Sequence, residues 1–241
     1  MPPRIFSPEA LADARRIVLD PIGSRHLREA LRVRPGDALV VFDGQGGEYA
    51  ATVETVDRQQ VVLSVGARFE TDRESPLNIT LAQGISRGER MDYTIQKAVE
   101  LGVNLIVPLA TERSTVRLDE ARAQKRHEHW AGIIRHAAEQ SGRTRLPQLA
   151  AVCSVATEAG RQRAPLRLLL DPGAEASLMT LPPARDIALA IGPEGGFSPL
   201  ERELLGAAGY QRVRLGPRVL RTETAALVAL ALLQARHGDL A

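Results

Sequence analysis

The stretch that decides the fold is residues 191–198, IGPEGGFS, which joins an apolar run to a strongly signalled helix start. The run at residues 187–191 is short and apolar, which is typical of a strand that a parallel sheet buries on both faces. Ser198 occupies the predicted N-cap, a proline follows it, and Glu201 completes the pattern of a capping box. The loop glycines allow close approach to the backbone, so the loop indicates either a small-molecule site or a tight turn.

A second glycine loop of the same construction follows the next predicted strand. Polar and apolar residues alternate over 211–215, Gly216 and Pro217 interrupt them, and Thr222 is the predicted cap of the last helix. Ligands of open α/β sheets bind beyond the carboxyl ends of the strands, so we expect both loops at one sheet edge, around a shared pocket. The glycine spacing matches neither G-x-G-x-x-G nor the P-loop, which disfavours a dinucleotide or a nucleoside triphosphate.

Before residue 77 the sequence predicts short strands and turns. Strand patterns at residues 38–42, 48–56 and 60–69 have the spacing of a small β-barrel, and Ser24 is predicted to cap a short helix that runs to residue 31. The polar residues 71–76 are predicted to form a linker. These patterns predict a barrel domain over residues 1–70.

From residue 77 onward strands alternate with helices. The predicted strands are residues 77–83, 105–109, 166–170, 187–191 and 211–215, and the main predicted helices are residues 88–101, 121–140 and 222–236. This alternation predicts an α/β domain over residues 77–241. The last helix is apolar on nearly every side between Ala225 and Leu233, so we expect it to be buried all round, either in the core or against a second subunit.

Composition and charge are those of a compact protein with a basic surface. The net charge is only +2, but the isoelectric point is near 9.0 and arginines cluster at Arg25, Arg28, Arg32 and Arg34. Such a cluster indicates either an RNA-binding face or a solvated helix face balanced by nearby acids. The single cysteine, Cys153, the lack of a signal-peptide pattern and the lack of an apolar run of membrane-spanning length predict a cytoplasmic protein. The scattered histidines predict no metal site.

Several short blocks together identify a family. They are PRIF at residues 3–6, QKAVELGV at 96–103, ERS at 112–114, EQSGR at 139–143, GPEGGFS at 192–198 with Glu201, and LGPRVLRTETA at 215–225. In this order and spacing they resemble the RsmE-type ribosomal RNA uracil N3 methyltransferases of the SPOUT superfamily, over nearly the whole chain. The resemblance implies a PUA-like RNA-binding barrel followed by a SPOUT-type α/β domain with a deep trefoil knot.

The same resemblance implies the activity, the cofactor and the partners. The expected reaction is transfer of a methyl group from S-adenosyl-L-methionine to N3 of a uridine in 16S ribosomal RNA of the small subunit, specifically uracil 1498 of the decoding region, by a homodimer. The expected cofactor contacts are Leu170, Ile191, Gly192, Gly195, Gly196, Leu215, Gly216 and Leu220. The expected RNA contacts on the barrel are Arg4, Arg25, Arg28 and Arg32.

The chemistry of uracil sets the requirements for catalytic residues. N3 carries a proton at neutral pH, so an enzyme must expose the base, favour its anion and align the reacting atoms. Arg221, with Arg4 reaching over from the barrel, is expected to stabilise negative charge on the uracil oxygens. Glu194 or Glu223 is expected to accept the proton if burial raises its pKa. The alternative is that Arg221 and Glu223 pair with each other or cap the helix.

Two other functions fit parts of the sequence. A non-catalytic RNA-binding or assembly protein would use the barrel for RNA and the α/β domain only for dimerisation, and a SPOUT relative could modify transfer RNA. The paired glycine loops favour an enzyme, because a pure binding module has no need of two ligand-sized loops at one sheet edge. Asp171 after the strand at residues 166–170 is either a site carboxylate or, as Asp-Pro-Gly favours, a turn residue.

Overall fold

The computed structural model describes residues 2–116 and 119–240. The chain divides into two compact units. The N-terminal unit comprises Met1–Glu74 together with Ala138–Leu146, and the C-terminal unit comprises Ser75–Ala137 with Pro147–Ala241. The sequence had assigned residues 138–146 to the second domain, but their contacts place them with the first.

The N-terminal unit is built on a five-stranded sheet. Its strands are β1 (Arg4–Phe6), β2 (Arg16–Val18), β3 (Ala38–Phe42), β4 (Glu48–Val56) and β5 (Val61–Phe69), in the spatial order β1-β3-β4-β5-β2. β1 runs parallel to β3, and the other neighbours are antiparallel. Ile5, Ile17, Val41 and Leu63 enter one apolar core. The strands predicted from period-two patterning are present, because alternate side chains of a strand point into such a core.

The short helix of this unit begins earlier than predicted. α1 spans Pro21–Arg25, its N-cap is Asp20, and the Asp20 carboxylate accepts a hydrogen bond of 2.8 Å from the Gly23 amide. A π-helical turn, His26–Ala30, follows it directly. Ser24 is not the cap, because its hydroxyl is buried and donates to the Leu19 carbonyl at 2.9 Å. The sequence predicts the wrong cap because Asp20 and Ser24 both satisfy the capping pattern, and tertiary contacts decide between them.

The C-terminal unit consists of a parallel sheet and several helices. Its helices are α2 (Arg90–Glu100), α3 (Glu120–Ser141, whose last residues belong to the N-terminal unit), α4 (Val155–Arg161), α5 (Pro199–Ala207) and α6 (Thr222–His237). Its strands are β6 (Asn78–Gly84), β7 (Leu105–Ala110), β8 (Gln148–Leu149), β9 (Cys153–Ser154), β10 (Leu166–Leu170), β11 (Asp186–Ile191) and β12 (Gln211–Val213). Along the sheet the order is β12-β10-β11-β6-β7-β8, and β9 also pairs with β7.

All recorded strand pairs in this sheet are parallel, so the carboxyl ends of its strands share one edge. β11 lies between β10 and β6, and five of its six residues are buried. This burial explains the uninterrupted apolar run in its sequence. β12 ends at Val213, two residues earlier than predicted. Within the described residues, no helix combines the length and apolar character that crossing a membrane requires.

The last helix is only partly buried by its own chain. Ala226, Ala229, Leu230 and Leu233 form a buried face at helical spacing. Leu227, Val228 and Leu232 are only half-buried. The expectation of burial on every side is therefore not met within one subunit, and the homodimer stays a prediction.

A buried cluster of charges holds the N-terminal unit together. The Arg4 guanidinium donates to the Glu48 carboxylate from Nε and from one terminal nitrogen, at 3.3 and 3.0 Å. Its remaining N–H groups donate to the carbonyls of Ala138, Glu139 and Arg143 at 3.0–3.1 Å. All five N–H donors are used, and the Arg4 and Glu48 side chains are only 7% and 5% exposed. Arg4 thereby fixes residues 138–143 beside β1.

Residues of the predicted linker take part in the same cluster. Arg73 binds the Glu48 carboxylate at 3.1 Å. Burial of Glu48 would raise its pKa, but hydrogen bonds from Arg73 and the charge of Arg4 hold that pKa below its usual value. Glu74 accepts hydrogen bonds from the Thr144 and Arg145 amides at 2.9 and 3.0 Å and forms an ion pair with Arg143 at 2.6 Å. Arg73 and Glu74 are therefore fixed by polar contacts within the N-terminal unit.

Replacing Arg4 with methionine should strongly destabilise the protein. Breaking a buried ion pair costs about 3–5 kcal/mol, because the remaining charge and the carbonyls lose their partners. The control is Arg16→Met. Arg16 forms a 2.7 Å ion pair with Glu54, and the two side chains are 59% and 36% exposed. Loss of this exposed pair should cost less than about 1 kcal/mol. Urea unfolding of both variants measures the difference. Equal losses would show that the Arg4 cluster contributes no more than a surface pair.

Candidate active site

A cavity of about 420 Å³ opens at the carboxyl edge of β10, β11 and β12. Both glycine loops line it, as the strand order predicts. Seven of the eight residues expected to contact a cofactor face this cavity: Leu170, Ile191, Gly192, Gly196, Leu215, Gly216 and Leu220. Apolar side chains, including Phe197 and Val213, form much of the wall. The cavity is of the size and character that small-molecule sites have.

The three glycines of the first loop are required by different surroundings. Gly196 has a φ of +65°, and a Cβ placed there would meet no atom within 4 Å, so it would project into free space at the cavity. A Cβ at Gly192 would lie 2.9 Å from the Gly196 backbone, so Gly192 allows the loop to close on itself. Gly195 does not line the cavity. A Cβ there would lie 3.0 Å from Arg113, and Gly195 instead allows the segment at residues 112–114 to pack on the loop.

The helix start after the loop forms the predicted capping box. The Ser198 hydroxyl accepts from the Glu201 amide at 3.3 Å, and the Glu201 carboxylate accepts from the Ser198 amide at 2.8 Å. The other Glu201 oxygen accepts from the Glu112 amide at 2.8 Å. Glu201 thus joins the α5 N-terminus to residues 112–114, whose Ser114 donates to the Ile85 carbonyl at 2.9 Å. These contacts stabilise the conformation of the glycine loop.

Thr222 is not the cap of the last helix. The N-cap is Arg221, and its side chain makes no capping hydrogen bond. The buried Thr222 hydroxyl instead donates to the Gly192 carbonyl at 2.7 Å and accepts from the Gln83 amide nitrogen at 2.9 Å. Thr222 therefore joins the start of α6 to the first glycine loop and to the end of β6. A capping pattern alone could not reveal these distant partners.

Glu194 does not have the raised pKa that its expected role as proton acceptor requires. Burial would raise the pKa of this carboxyl, but hydrogen bonds from the Glu194 and Arg87 amides and from the Arg90 guanidinium hold the pKa below its usual value. The Arg87 and Arg90 contacts are 3.1 and 2.7 Å long. Glu194 faces the cavity as a firmly ionised carboxylate, which is a weak proton acceptor. The condition under which Glu194 was expected to accept the proton, a raised pKa, is therefore not met.

The sequence missed Arg90, which lies between the two candidate carboxylates. Its guanidinium is 2.7 Å from a Glu194 oxygen and 3.8 Å from Oε1 of Glu223. The other Glu223 oxygen is buried and has no hydrogen-bond partner in the described chain. Glu223 itself is outside the cavity lining, whereas Arg90 belongs to it. The sequence signal for Arg90 is its position alone, at the start of the helix that leads into the QKAVELGV block.

Arginines crowd the mouth of the cavity. Arg214, Arg218 and Arg221 all line it, and the structure records no ion pair for their guanidinium groups within residues 2–116 and 119–240. The alternative that Arg221 pairs with Glu223 is not seen there. Asp171 also faces the cavity, but its carboxylate binds Arg212 at 2.9 Å and the Gly173 amide at 2.9 Å, so it forms the turn that Asp-Pro-Gly indicated.

The arginines predicted to contact RNA have unequal surroundings. Arg4 has no N–H left for uracil or phosphate, because the buried cluster uses all five, and we withdraw it from both roles. Arg25 is exposed at the end of α1. Arg28 contacts the turn between β4 and β5, and Arg32 is exposed just after the π-helical turn.

Family models match both units in the chain. A model described as an RNA methyltransferase domain matches residues 73–234, and a model described as an RNA methyltransferase PUA domain matches residues 23–66. The parallel sheet with its glycine-lined cavity and the preceding small sheet are thus those of an RNA methyltransferase with a PUA domain.

Individual relatives show which family of RNA methyltransferases the chain belongs to. A solved putative methyltransferase from Legionella pneumophila, in complex with the bound cofactor SAM, is 41% identical with a TM-score of 0.96, and each chain covers 100% of the other. The Neisseria gonorrhoeae ribosomal RNA small subunit methyltransferase E, solved bound to S-adenosyl methionine, is 37% identical with a TM-score of 0.92 over 100% of both chains. The Buchnera aphidicola (Schizaphis graminum) enzyme of that name is 32% identical over 99% of this chain and 98% of its own. The chain belongs to the ribosomal RNA small subunit methyltransferase E family.

Proposed function

We propose that this protein transfers a methyl group from S-adenosyl-L-methionine to N3 of a uridine in 16S ribosomal RNA. The observation that carries the proposal is one cavity, at the carboxyl edge of a parallel sheet, bounded by both glycine loops and edged by arginines. The apolar wall suits the cofactor, and the arginines suit an RNA base that must lose a proton. Family membership and the SAM complexes of two relatives support the same reaction.

The residues of the cavity fit the cofactor. S-adenosyl-L-methionine, when bound, supplies an electrophilic methyl group on sulfur. Gly196 and Gly216 have positive φ values of +65° and +139°, and a Cβ at either position would point into open space, so both glycines leave room that a ligand would fill. Leu170, Ile191 and Leu220 offer apolar contact. We propose that these residues, with Gly192 and Leu215, hold the cofactor, and that Gly195 supports the loop from behind.

Two side chains carry the proposed chemistry at uracil. Arg221 lines the cavity, and its guanidinium has no ion-pair or capping partner among the described residues, so it is available to stabilise negative charge on the uracil oxygens. Glu223 follows it by two residues and has a buried carboxylate oxygen without a hydrogen-bond partner. Glu223 lies outside the cavity lining, so we propose that it accepts the N3 proton through one water. We prefer it to Glu194 because its buried oxygen has no hydrogen bond to lose.

The family resemblance supports the finer points of the proposal. We propose uracil 1498 of the decoding region as the target, small ribosomal subunits as the partner, and the cytoplasm as the place of action. The PUA-type sheet of the N-terminal unit would close as a barrel, and α6 would complete a deep trefoil knot in the C-terminal unit. Methyl transfer to purified 16S ribosomal RNA and to transfer RNA, with the product nucleoside identified by mass, separates the reaction from both alternative functions.

Placing a methyl group on Gly196 should abolish cofactor binding, whereas the same change at a matched glycine should only reduce stability. Gly196→Ala puts a Cβ into the cavity, and the left-handed backbone costs about 1–2 kcal/mol for an L-residue. Gly36→Ala is the matched control, since Gly36 has a φ of +92°, has open space at its Cβ, and lies in the N-terminal unit. Both variants should lose similar thermal stability. Calorimetric titration with S-adenosyl-L-methionine should detect binding only to the wild type and Gly36→Ala. Unchanged affinity in folded Gly196→Ala would refute the proposed cofactor site.

Removing the Arg221 guanidinium should impair chemistry more than binding. We expect Arg221→Ala to lower kcat about 100-fold or more, as loss of one transition-state donor does, while cofactor and RNA affinities change little. Arg185→Ala removes an exposed arginine outside the cavity and should keep full turnover. The assay is single-turnover methyl transfer to small subunits that lack the modification. If Arg221→Ala weakens RNA binding in proportion to its rate, the residue positions RNA and does not stabilise charge.

We propose a homodimer that covers the half-buried side of α6. Leu227, Val228 and Leu232 lie on that side, and burial of such apolar surface favours association. Light scattering at micromolar concentration should report twice the chain mass of 26.1 kDa, and Leu232→Glu should shift the protein toward the monomer. A wild-type monomer under these conditions would contradict the dimer.

A further inference from the structure

The backbone of Arg90 is anchored beside the cavity by its own helical turn. Arg90 begins α2, and the Thr94 hydroxyl donates to its carbonyl at 2.8 Å. The same turn is attached to α3 through Asp92. One oxygen of the Asp92 carboxylate accepts from the Trp130 indole at 3.0 Å, and the other lies 2.8 Å from Nε2 of His129. The position from which the Arg90 side chain extends is therefore fixed by contacts within the C-terminal unit.

Glu194 holds the guanidinium end of the Arg90 side chain. One Glu194 oxygen accepts from the guanidinium at 2.7 Å and from the Arg87 amide at 3.1 Å. Burial would raise the pKa of Glu194, but these donors hold it below its usual value, so both partners of the pair are charged. A guanidinium has five N–H donors, so this contact leaves others for a second partner.

The second carboxylate near Arg90 is that of Glu223. Its Oε1 lies 3.8 Å from Nε of Arg90, and within the described residues no other ion pair of Glu223 is recorded. The Glu223 side chain is only 14% exposed, and its other oxygen is buried with no hydrogen-bond partner in that part of the chain. Burial disfavours a charged carboxylate unless an opposite charge lies nearby. Arg90 supplies that charge, together with the N-terminal end of α6, in whose first turn Glu223 lies.

Two carboxylates distinguish Arg90 from the other arginines of the cavity. Arg214, Arg218 and Arg221 line the cavity without a recorded ion pair in the described ranges, whereas Arg90 lines it with a carboxylate on either side. Two negative charges offset the attraction of Arg90 for an anionic substrate. The same arrangement suits an arginine that fixes a carboxylate lacking other partners, because charge-assisted hydrogen bonds of a guanidinium are directional.

We propose that Arg90 is a positioning residue for methyl transfer, which holds the Glu223 carboxylate in place to receive the N3 proton. The inference rests on the proposed function, in which Glu223 is the acceptor through one water. The proton leaves N3 for that water, which passes one of its own protons to Glu223, and the electron pair stays on N3 to form the bond with the methyl group. Glu194 supports this arrangement by fixing Arg90. One guanidinium thereby connects the first glycine loop to the start of α6.

A double-mutant cycle tests whether Arg90 acts through Glu223. We expect Glu223→Gln to lower the rate of methyl transfer about 100-fold or more, as loss of a general base does, and Arg90→Met to lower it about tenfold or more. In the Glu223→Gln background, Arg90→Met should change the rate less than about twofold, because no acceptor is left to position. The assay is single-turnover methyl transfer to small subunits that lack the modification, at saturating cofactor and RNA.

Two further variants separate positioning from a general loss of structure. Arg90→Lys retains a positive charge without the planar fork and should recover part of the lost rate. Arg161→Met is the matched control. Arg161 is 43% exposed, compared with 40% for Arg90, and it pairs at 2.5 Å with the buried carboxylate of Glu158, outside the cavity. This variant should lose stability and keep the full rate. Thermal unfolding and calorimetric titration with S-adenosyl-L-methionine measure folding and cofactor affinity in every variant.

The outcomes distinguish this inference from the proposed function. Equal losses of rate from Arg90→Met in the wild-type and Glu223→Gln backgrounds would overturn the inference alone, because Arg90 would then act independently of Glu223. A loss confined to cofactor affinity would mark a support of the glycine loop, and a loss confined to RNA affinity would mark a substrate contact; either also overturns it. An unchanged rate in Glu223→Gln would overturn the proposed acceptor together with this inference. A wild type that transfers no methyl group would overturn the proposed function itself.

Discussion

The hydroxyl group of Thr222 connects the three chain segments that define the cavity. It accepts a hydrogen bond from Gln83 at the end of β6 and donates to the Gly192 carbonyl in the first glycine loop, while its backbone begins α6. A hydrogen bond contributes only about 1 kcal/mol net, but a buried partner left unpaired costs about 1–3 kcal/mol. Because both partners are buried or part-buried, this contact couples the geometry of the loop to that of the helix that follows Arg221.

Two arginines of the N-terminal unit have opposite surroundings. Arg4 is buried, and each of its N–H groups has a partner, so its charge fixes residues 138–143 against β1. Arg32 is exposed and has a positive φ, a conformation that ordinarily costs an L-residue stability. Whether an arginine serves as a buried support therefore depends on the partners that the fold provides for its donors.

Charge in the cavity is unevenly distributed. Arg90 lies between Glu194 and Glu223, and Arg214, Arg218 and Arg221 add positive charge at the mouth. Hydrogen-bond donors around Glu194 lower its pKa and keep it ionised, so it offsets part of this charge without taking up a proton. The result is an apolar wall with a cationic edge, which favours negative charge at that edge more than along the wall.

The sequence by itself determined the features that depend on neighbouring residues. The capping box of Ser198 and Glu201 spans three residues, the glycine loops follow their strands directly, and β3, β4, β10 and α5 appear where periodicity and caps predict them. These signals are local because a cap, a turn or a strand pattern is satisfied within a few residues. The resemblance of several ordered blocks added the family, which the family models and relatives show.

Only the tertiary structure decided the contacts between distant residues. Gln83 and Thr222 are 139 positions apart, Arg90 and Glu194 are 104 apart, and Arg4 reaches the carbonyl of Ala138 across 134 positions. Because of these contacts, Thr222 connects two segments of the chain and does not cap α6. Glu194 is held as a carboxylate by Arg90, and Arg4 is a buried support for residues 138–143. A side chain's type fixes which bonds it can form, but the folded chain decides which partners are present to form them.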